Sequence, residues 1–319
     1  MSRSDYTEYI ARISYGKDSL KMLDVIITRG LPLDRITTTD VWATDTISAN
    51  LPEKEAFKAR MDEWIWWKYR MEVEHLCARN KDGSKRTYEQ MFYHVPQRRS
   101  QTVQVERDGL RPGSIKGFPG TVGVKWCQKL KAIWVPTPRI SSPNQPLVQE
   151  AQDRPSLSNE PATTGKNRNI VEYLGIAADE PKRFGQLNHK KRAPLAEFGI
   201  DEDLCGLYCQ YERCLAPTYE TSCRDGCWFC HNQGVSQLRN LWKNYPDLWA
   251  LLMKWDLDSP VTFKADGHTV HDFDQRFRME EEGLIDIRRP FRWEMLNNPP
   301  KFRCMNFEEI SLFDTRSLI

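Results

Sequence analysis

No stretch of the chain approaches the roughly 20 consecutive apolar residues that a bilayer-spanning helix needs. The N-terminal segment MSRSDYTEYIARIS carries acidic side chains and has no apolar centre of the kind found in a secretory leader. These two absences predict a cytoplasmic protein with no membrane partner. Charge of one sign is missing as well: 46 Lys and Arg against 44 Asp and Glu leave a formal +2, too small to argue for nucleic acid by itself. Local basic clusters at Lys85-Arg86, Arg98-Arg99 and Lys190-Lys191-Arg192 are read as solvated loops. No internal repeat or heptad is evident. What remains is ordinary for a globular chain, since 319 residues that are 39% hydrophobic and 28% charged suit one large core or two smaller domains.

Against that plain background one segment carries chemistry. Tyr9 to Ile13 is a short run of β-branched and aromatic residues, and Leu20, Leu23, Ile26 and Ile27 repeat at helical spacing until Gly30 and Pro32. Between them lies Ser14-Tyr15-Gly16-Lys17-Asp18-Ser19, on a predicted strand-turn-helix corner. At such a corner the first-turn amides have no intrahelical acceptor, and the helix dipole adds partial positive charge, so a bound anion is stabilised there. Gly16 allows close backbone approach, Lys17 supplies a point charge, and Ser14 and Ser19 offer hydroxyls. The Walker loop does not fit, because Asp18 stands where Ser or Thr should follow the lysine.

SYGKDS resembles the PP-loop of the N-type ATP pyrophosphatases, usually written SGGxDS. The wider chain, over about residues 9–234, resembles the phosphoadenosine phosphosulfate (PAPS) reductase-like branch of that superfamily. Tyr15 replaces a glycine of the motif. The resemblance implies an adenine nucleotide partner, ATP with Mg2+, gripped by Ser14, Tyr15, Gly16, Lys17, Asp18 and Ser19, with Lys17 and Asp18 catalytic.

The coarse pattern beyond the loop predicts an α/β fold with a doubly wound, mainly parallel sheet. Ile36 to Trp42 reads as a second strand, Glu53 to about Tyr69 as a helix with Phe57, Met61, Trp64 and Ile65 on one face, and Met71 to Leu76 as a third strand. Alternation of this kind implies parallel pairing, with ligands at the carboxyl ends of strands, which places Asp40 beside the loop. The resemblance implies that Asp40 approaches the nucleotide; a helix or turn cap is the plain alternative. Residues 79–124 are charged and punctuated by glycine, and are read as an excursion outside the core. Ile170 to Ile176 reads as a buried strand leading into Ala177-Ala178-Asp179-Glu180-Pro181-Lys182-Arg183. That strand with its acidic and arginine signature resembles the family's, which implies Arg183, with Lys182 beside it, facing the phosphate or sulfate end; a Glu180–Arg183 surface pair is the alternative.

Six of the nine cysteines fall between 205 and 230, and Cys223, Cys227 and Cys230 form a C-x3-C-x2-C cluster with Gly226 in the turn. Thiolates at turn spacing in a chain without a leader favour a metal or an iron-sulfur cluster over disulfides. The segment Lys125-Trp126-Cys127 with Lys129 and Lys131 looks like the cysteine-plus-basic segment of cluster-bearing adenylylsulfate reductases. The likeness implies Cys127 as the fourth ligand of a 4Fe-4S cluster, with Cys209 and Cys214 as rivals and zinc as the alternative metal. Cys77, Cys205 and Cys304 are read as ordinary thiols.

The expected organisation is a PP-loop nucleotide-binding domain begun in 1–135 and completed in 167–200, a flexible linker or insertion at 136–166, a Cys-rich, mainly helical segment at 201–256, and a C-terminal extension at 257–319. Val235 to Trp255 reads as two helices broken at Pro246. Together the loop and thiols imply ATP-dependent sulfur transfer, as in tRNA thiolation or DNA phosphorothioation, with a nucleic-acid acceptor and a sulfur donor such as a cysteine desulfurase. Reduction of PAPS or adenylylsulfate, and a nucleotide-sensing adaptor with structural zinc, are the alternatives.

Overall fold

The computed structural model describes residues 7–95, 113–119, 126–131, 169–217, 219, 226–288 and 290–297. Strand β1 (Thr7–Arg12) is central, pairing in parallel with β2 (Arg35–Asp40) on one side and β4 (Asn169–Leu174) on the other. Outside them lie β3 (Val73–Cys77), parallel to β2, and the short β5 (Lys191–Arg192), parallel to β4. The order β3-β2-β1-β4-β5 is that of a doubly wound sheet, and the chain reverses its direction of winding between β1 and β4. Such a reversal opens a crevice at the carboxyl ends of those two strands.

Alternation along the strands divides the interior into two cores. Tyr9 and Ala11 of β1, Val73 of β3 and Tyr173 of β4 belong to one; Ile10, Leu76 and Ile170 of the same strands belong to the other. The first core is roofed by helices α1 (Lys17–Thr28) and α2 (Pro52–Tyr69). Leu20, Leu23 and Ile26 of α1 and Phe57, Met61 and Ile65 of α2 are buried, as the helical spacing predicts. Helix α1 stops where Gly30 takes a left-handed φ of +63° and the Leu31 amide returns to the Ile26 carbonyl at 2.9 Å.

The second core is mostly aromatic. It holds α3 (Tyr88–Phe92), whose start is fixed by a reciprocal cap between Thr87 and Gln90. Tyr88, Met91, Phe92 and Phe118 are all buried, which corrects the expectation that 79–124 stands outside the core. The glycine signal is real, since Gly113 and Gly117 both have positive φ, but the aromatics beside it pack inward. Two short elements, α4 (Pro194–Glu197) and α5 (Glu202–Tyr211), return to the first core beside α1. Helices α6 (Val235–Asn244), α7 (Pro246–Asp258) and α8 (Val270–Glu281) then complete the second, with the break at Pro246 where the proline signal places it. No helix among the described residues is long and apolar enough to cross a membrane. The expected linker at 136–166, together with Cys223 and Cys304, lies outside the described residues.

Candidate functional site

The loop between β1 and α1 stands at the winding reversal. Gly16 caps α1, and its carbonyl accepts both the Leu20 amide at 3.1 Å and the Ser19 hydroxyl at 2.9 Å. Ser19 Oγ in turn accepts the Ser14 amide at 3.2 Å, so this hydroxyl holds the loop closed on itself, while Ser14 is exposed. Close approach explains two glycines. A Cβ on Gly16 would meet the Tyr219 hydroxyl at 3.3 Å, and one on Gly175, just beyond β4, would stand 3.1 Å from the Ser19 Cα and amide nitrogen.

Lys17 projects from the first turn of α1 between two carboxylates, 2.7 Å from Asp18 Oδ1 and 2.8 Å from Glu202 Oε2. Burial opposes its charge, but the two acids outweigh it and hold the ammonium's pKa above its ordinary value. Burial raises the Asp18 pKa, with the neighbouring Lys17 acting against the rise. Glu202 is carried by α5, whose first amide donates to Asp179 Oδ1 at 3.2 Å, so the strand exit after β4 and the start of α5 both close on the loop.

Asp40 lies at the carboxyl end of β2 and is engaged with protein groups: Lys58 of α2 and His75 Nδ1 of β3, the latter at 2.9 Å. Burial works against its charge, and those two cations bring its pKa below the ordinary carboxylate range. The far nitrogen of His75 meets Asp62 Oδ2 at 3.0 Å, and Asp62 Oδ1 accepts the Tyr15 hydroxyl at 2.5 Å. Tyr15 is buried and sits at φ +59°, a left-handed backbone that costs a bulky residue roughly 1–3 kcal/mol. Arg183 is exposed and bonds Glu180 at 2.7 and 2.8 Å, the alternative pairing foreseen for it, and Lys182 is exposed beside it.

Six of the seven described thiols separate into two groups on opposite faces of the sheet. Cys205, Cys209 and Cys214 are fully buried in the first core beneath the loop, with Cys209 Sγ 3.6 Å from the Lys17 carbonyl. That burial on the α1 face takes Cys209 and Cys214 away from the thiols they were expected to rival as ligands. Cys127, Cys227 and Cys230 instead line one cavity of about 210 Å3 beside the second core. The turn carrying the last two is pinned by Trp228 Nε1 on the Ser48 carbonyl at 2.8 Å and by Lys264 Nζ on the His231 and Gln233 carbonyls. Tyr88 also lines this cavity, packed against Phe229 with ring centroids 4.1 Å apart, and among the described residues its buried hydroxyl has no hydrogen-bond partner. Burial first, and then the thiol groups of Cys127, Cys230 and Cys227, push its pKa well up.

Whether these residues suit a thiolate-bound centre can be judged from this donor set. Three thiols and a buried O–H line one space, and thiols are the right donor chemistry for such a centre. Among the described residues, however, no three His, Cys, Asp or Glu side chains stand close enough together to hold a metal. Comparison with protein-family models, curated proteins and solved structures finds no match.

Glu202, Tyr219, Lys58, Asp62, His75 and Tyr88 escaped sequence reading. A signal existed for one of them: Lys58 follows Lys54 at i, i+4 beside the apolar Phe57–Met61 stripe, and both lysines are buried.

Proposed function

We propose that this chain is an ATP-dependent PP-loop enzyme of the PAPS reductase-like kind, with an adenine nucleotide alpha hydrolase-like fold, that adenylates an acceptor and so prepares it for sulfur transfer. The observation that supports this reading most is the position of Ser14–Ser19: a glycine-capped helix start with a lysine in its first turn, at the winding reversal of a parallel sheet. Mg2+ enters with ATP as the substrate complex.

In the reaction an acceptor oxygen attacks the α-phosphorus, the bond to the α–β bridging oxygen breaks, and pyrophosphate leaves with that electron pair. Lys17 and the first-turn amides of α1 neutralise the charge that builds on the leaving group. Ser19 keeps the loop closed, and Gly175 lets the end of β4 approach the turn. Arg183 steadies an oxyanion once it exchanges Glu180 for a ligand.

Cys127, Cys227 and Cys230, with Cys223, would hold an iron-sulfur centre that supplies sulfide or electrons, and the Tyr88 hydroxyl would donate a hydrogen bond to one of the sulfurs. A nucleic acid is the acceptor class, with a sulfur donor such as a cysteine desulfurase as the second partner. The test is ATP–pyrophosphate exchange by wild type and Lys17→Ala, with iron, sulfide and zinc quantified on anaerobic protein. Unchanged exchange in Lys17→Ala sinks the catalytic reading, and zinc in place of iron makes the thiols structural.

A further inference from the structure

Tyr15 stands at the second loop position with its backbone in the left-handed region. Glycine adopts that shape freely and a tyrosine rarely does, so the surrounding structure must hold it there. Its ring is buried, with Lys58 Nζ 5.8 Å from the ring centroid, and its hydroxyl donates to Asp62 Oδ1 at 2.5 Å. The same hydroxyl lies 3.3 Å from His75 Nε2. His75 presents Nε2 to Asp62 at 3.0 Å and Nδ1 to Asp40 at 2.9 Å. An ionised carboxylate can only accept, so a ring that satisfies both must carry a proton on each nitrogen. One hydrogen-bonded chain thus joins the loop to α2, β3 and β2.

We propose that Tyr15 is a positioning residue whose hydroxyl, held by the Asp62–His75–Asp40 chain, locks the Ser14–Ser19 loop in its anion-binding shape, and that loss of the His75 proton opens the lock. The proposal rests on the phosphate-loop reading of that segment. A glycine at position 15 would leave the loop to be ordered when a ligand arrives, whereas a locked tyrosine moves that entropy cost into folding.

The charged and titratable groups facing His75 are Asp40 from β2, Asp62 from α2 and Tyr15 from the loop, with Glu55 and Lys58 of α2 next to them. Hydrogen bonds to Asp40 and then Asp62 raise the His75 pKa from 6.5 to about 9, against burial. A raised folded-state value means that the contribution is complete below pH 6.5 and is lost as pH climbs through about 9.

Amide hydrogen exchange of the segment 13–19 in the full-length protein, corrected for intrinsic rates, tests this at about pH 7 and about pH 10. Wild type should be protected at the lower pH and lose protection at the higher. Tyr15→Phe, which keeps the ring, and Tyr15→Gly, which fits the backbone but lacks the hydroxyl, should exchange fast at both, and His75→Gln should lose the pH dependence. Exchange in α6–α8 reports that each variant remains folded. Calorimetry with inorganic pyrophosphate should show roughly tenfold weaker binding by Tyr15→Phe, as expected for a lost hydrogen bond to a charged group. Wild-type protection retained by Tyr15→Phe at both pH values would overturn the lock. Absence of pyrophosphate and ATP binding by wild type, with the exchange pattern intact, overturns the phosphate-loop reading and leaves the lock standing.

Discussion

The Lys17 ammonium and the Glu202 carboxylate stand 2.8 Å apart, so the cation that the proposed function assigns to phosphate already holds an anion supplied by α5. A phosphate taken up by Lys17 would compete with Glu202 for it. Glu202→Gln should therefore tighten pyrophosphate binding by about two- to fivefold, the scale of a partly exposed ion pair, and calorimetry at low salt would show it. Weaker binding would mean that Glu202 assists the site.

Gly175→Ala puts a methyl group 3.1 Å from the backbone of Ser19, where neither strand exit nor helix start can give way cheaply. The expected loss is about 1–3 kcal/mol, read as a shift in the urea midpoint without a change in slope. Pyrophosphate affinity should fall as well, because the displaced atoms belong to the loop.

Tyr88→Phe tests the proposed thiolate-bound centre. In metal-free protein the change removes a buried hydroxyl that has no partner among the described residues, and should be neutral or stabilising by about 1 kcal/mol. In protein loaded with a thiolate-bound centre the same change should lower stability, having removed a donor to sulfur. Paired thermal melts before and after anaerobic reconstitution provide the measurement.

Asp274 accepts the indole N–H of Trp242 at 3.0 Å and of Trp249 at 2.9 Å, and Arg278 bonds its other oxygen at 2.7 Å. Asp274→Leu leaves both indoles without that acceptor and should cost about 2–4 kcal/mol, seen as a lower melting temperature with the loop chemistry unaffected.

Local features were legible in the sequence. The corner at Ser14–Ser19, the apolar faces of α1 and α2 and the helix break at Pro246 all follow from spacing and turn chemistry within a dozen residues or so. Contacts made at long range were not. Nothing near Tyr15 announces Asp62 or His75, 47 and 60 positions away, and Glu202 reaches Lys17 across 185. Tyr88, Met91 and Phe92 show helical spacing over a single turn only, and Phe118 stands apart among glycines and prolines, so their segment read as surface. The cysteines show the same limit: nearness in sequence made Cys209 and Cys214 rivals for the cluster, whereas the sheet places them with the ordinary thiol Cys205 on one side and Cys127, Cys227 and Cys230 on the other.

Because neighbouring residues of β1 belong to different cores, the strand has no tolerance for a frame error. Deleting or inserting a single residue within it would send Ile10 toward α1 and Ala11 toward the aromatic helices, exchanging a large side chain for a small one in both interiors at once. Substitutions can tune either half alone, but length changes in the central strand damage both together.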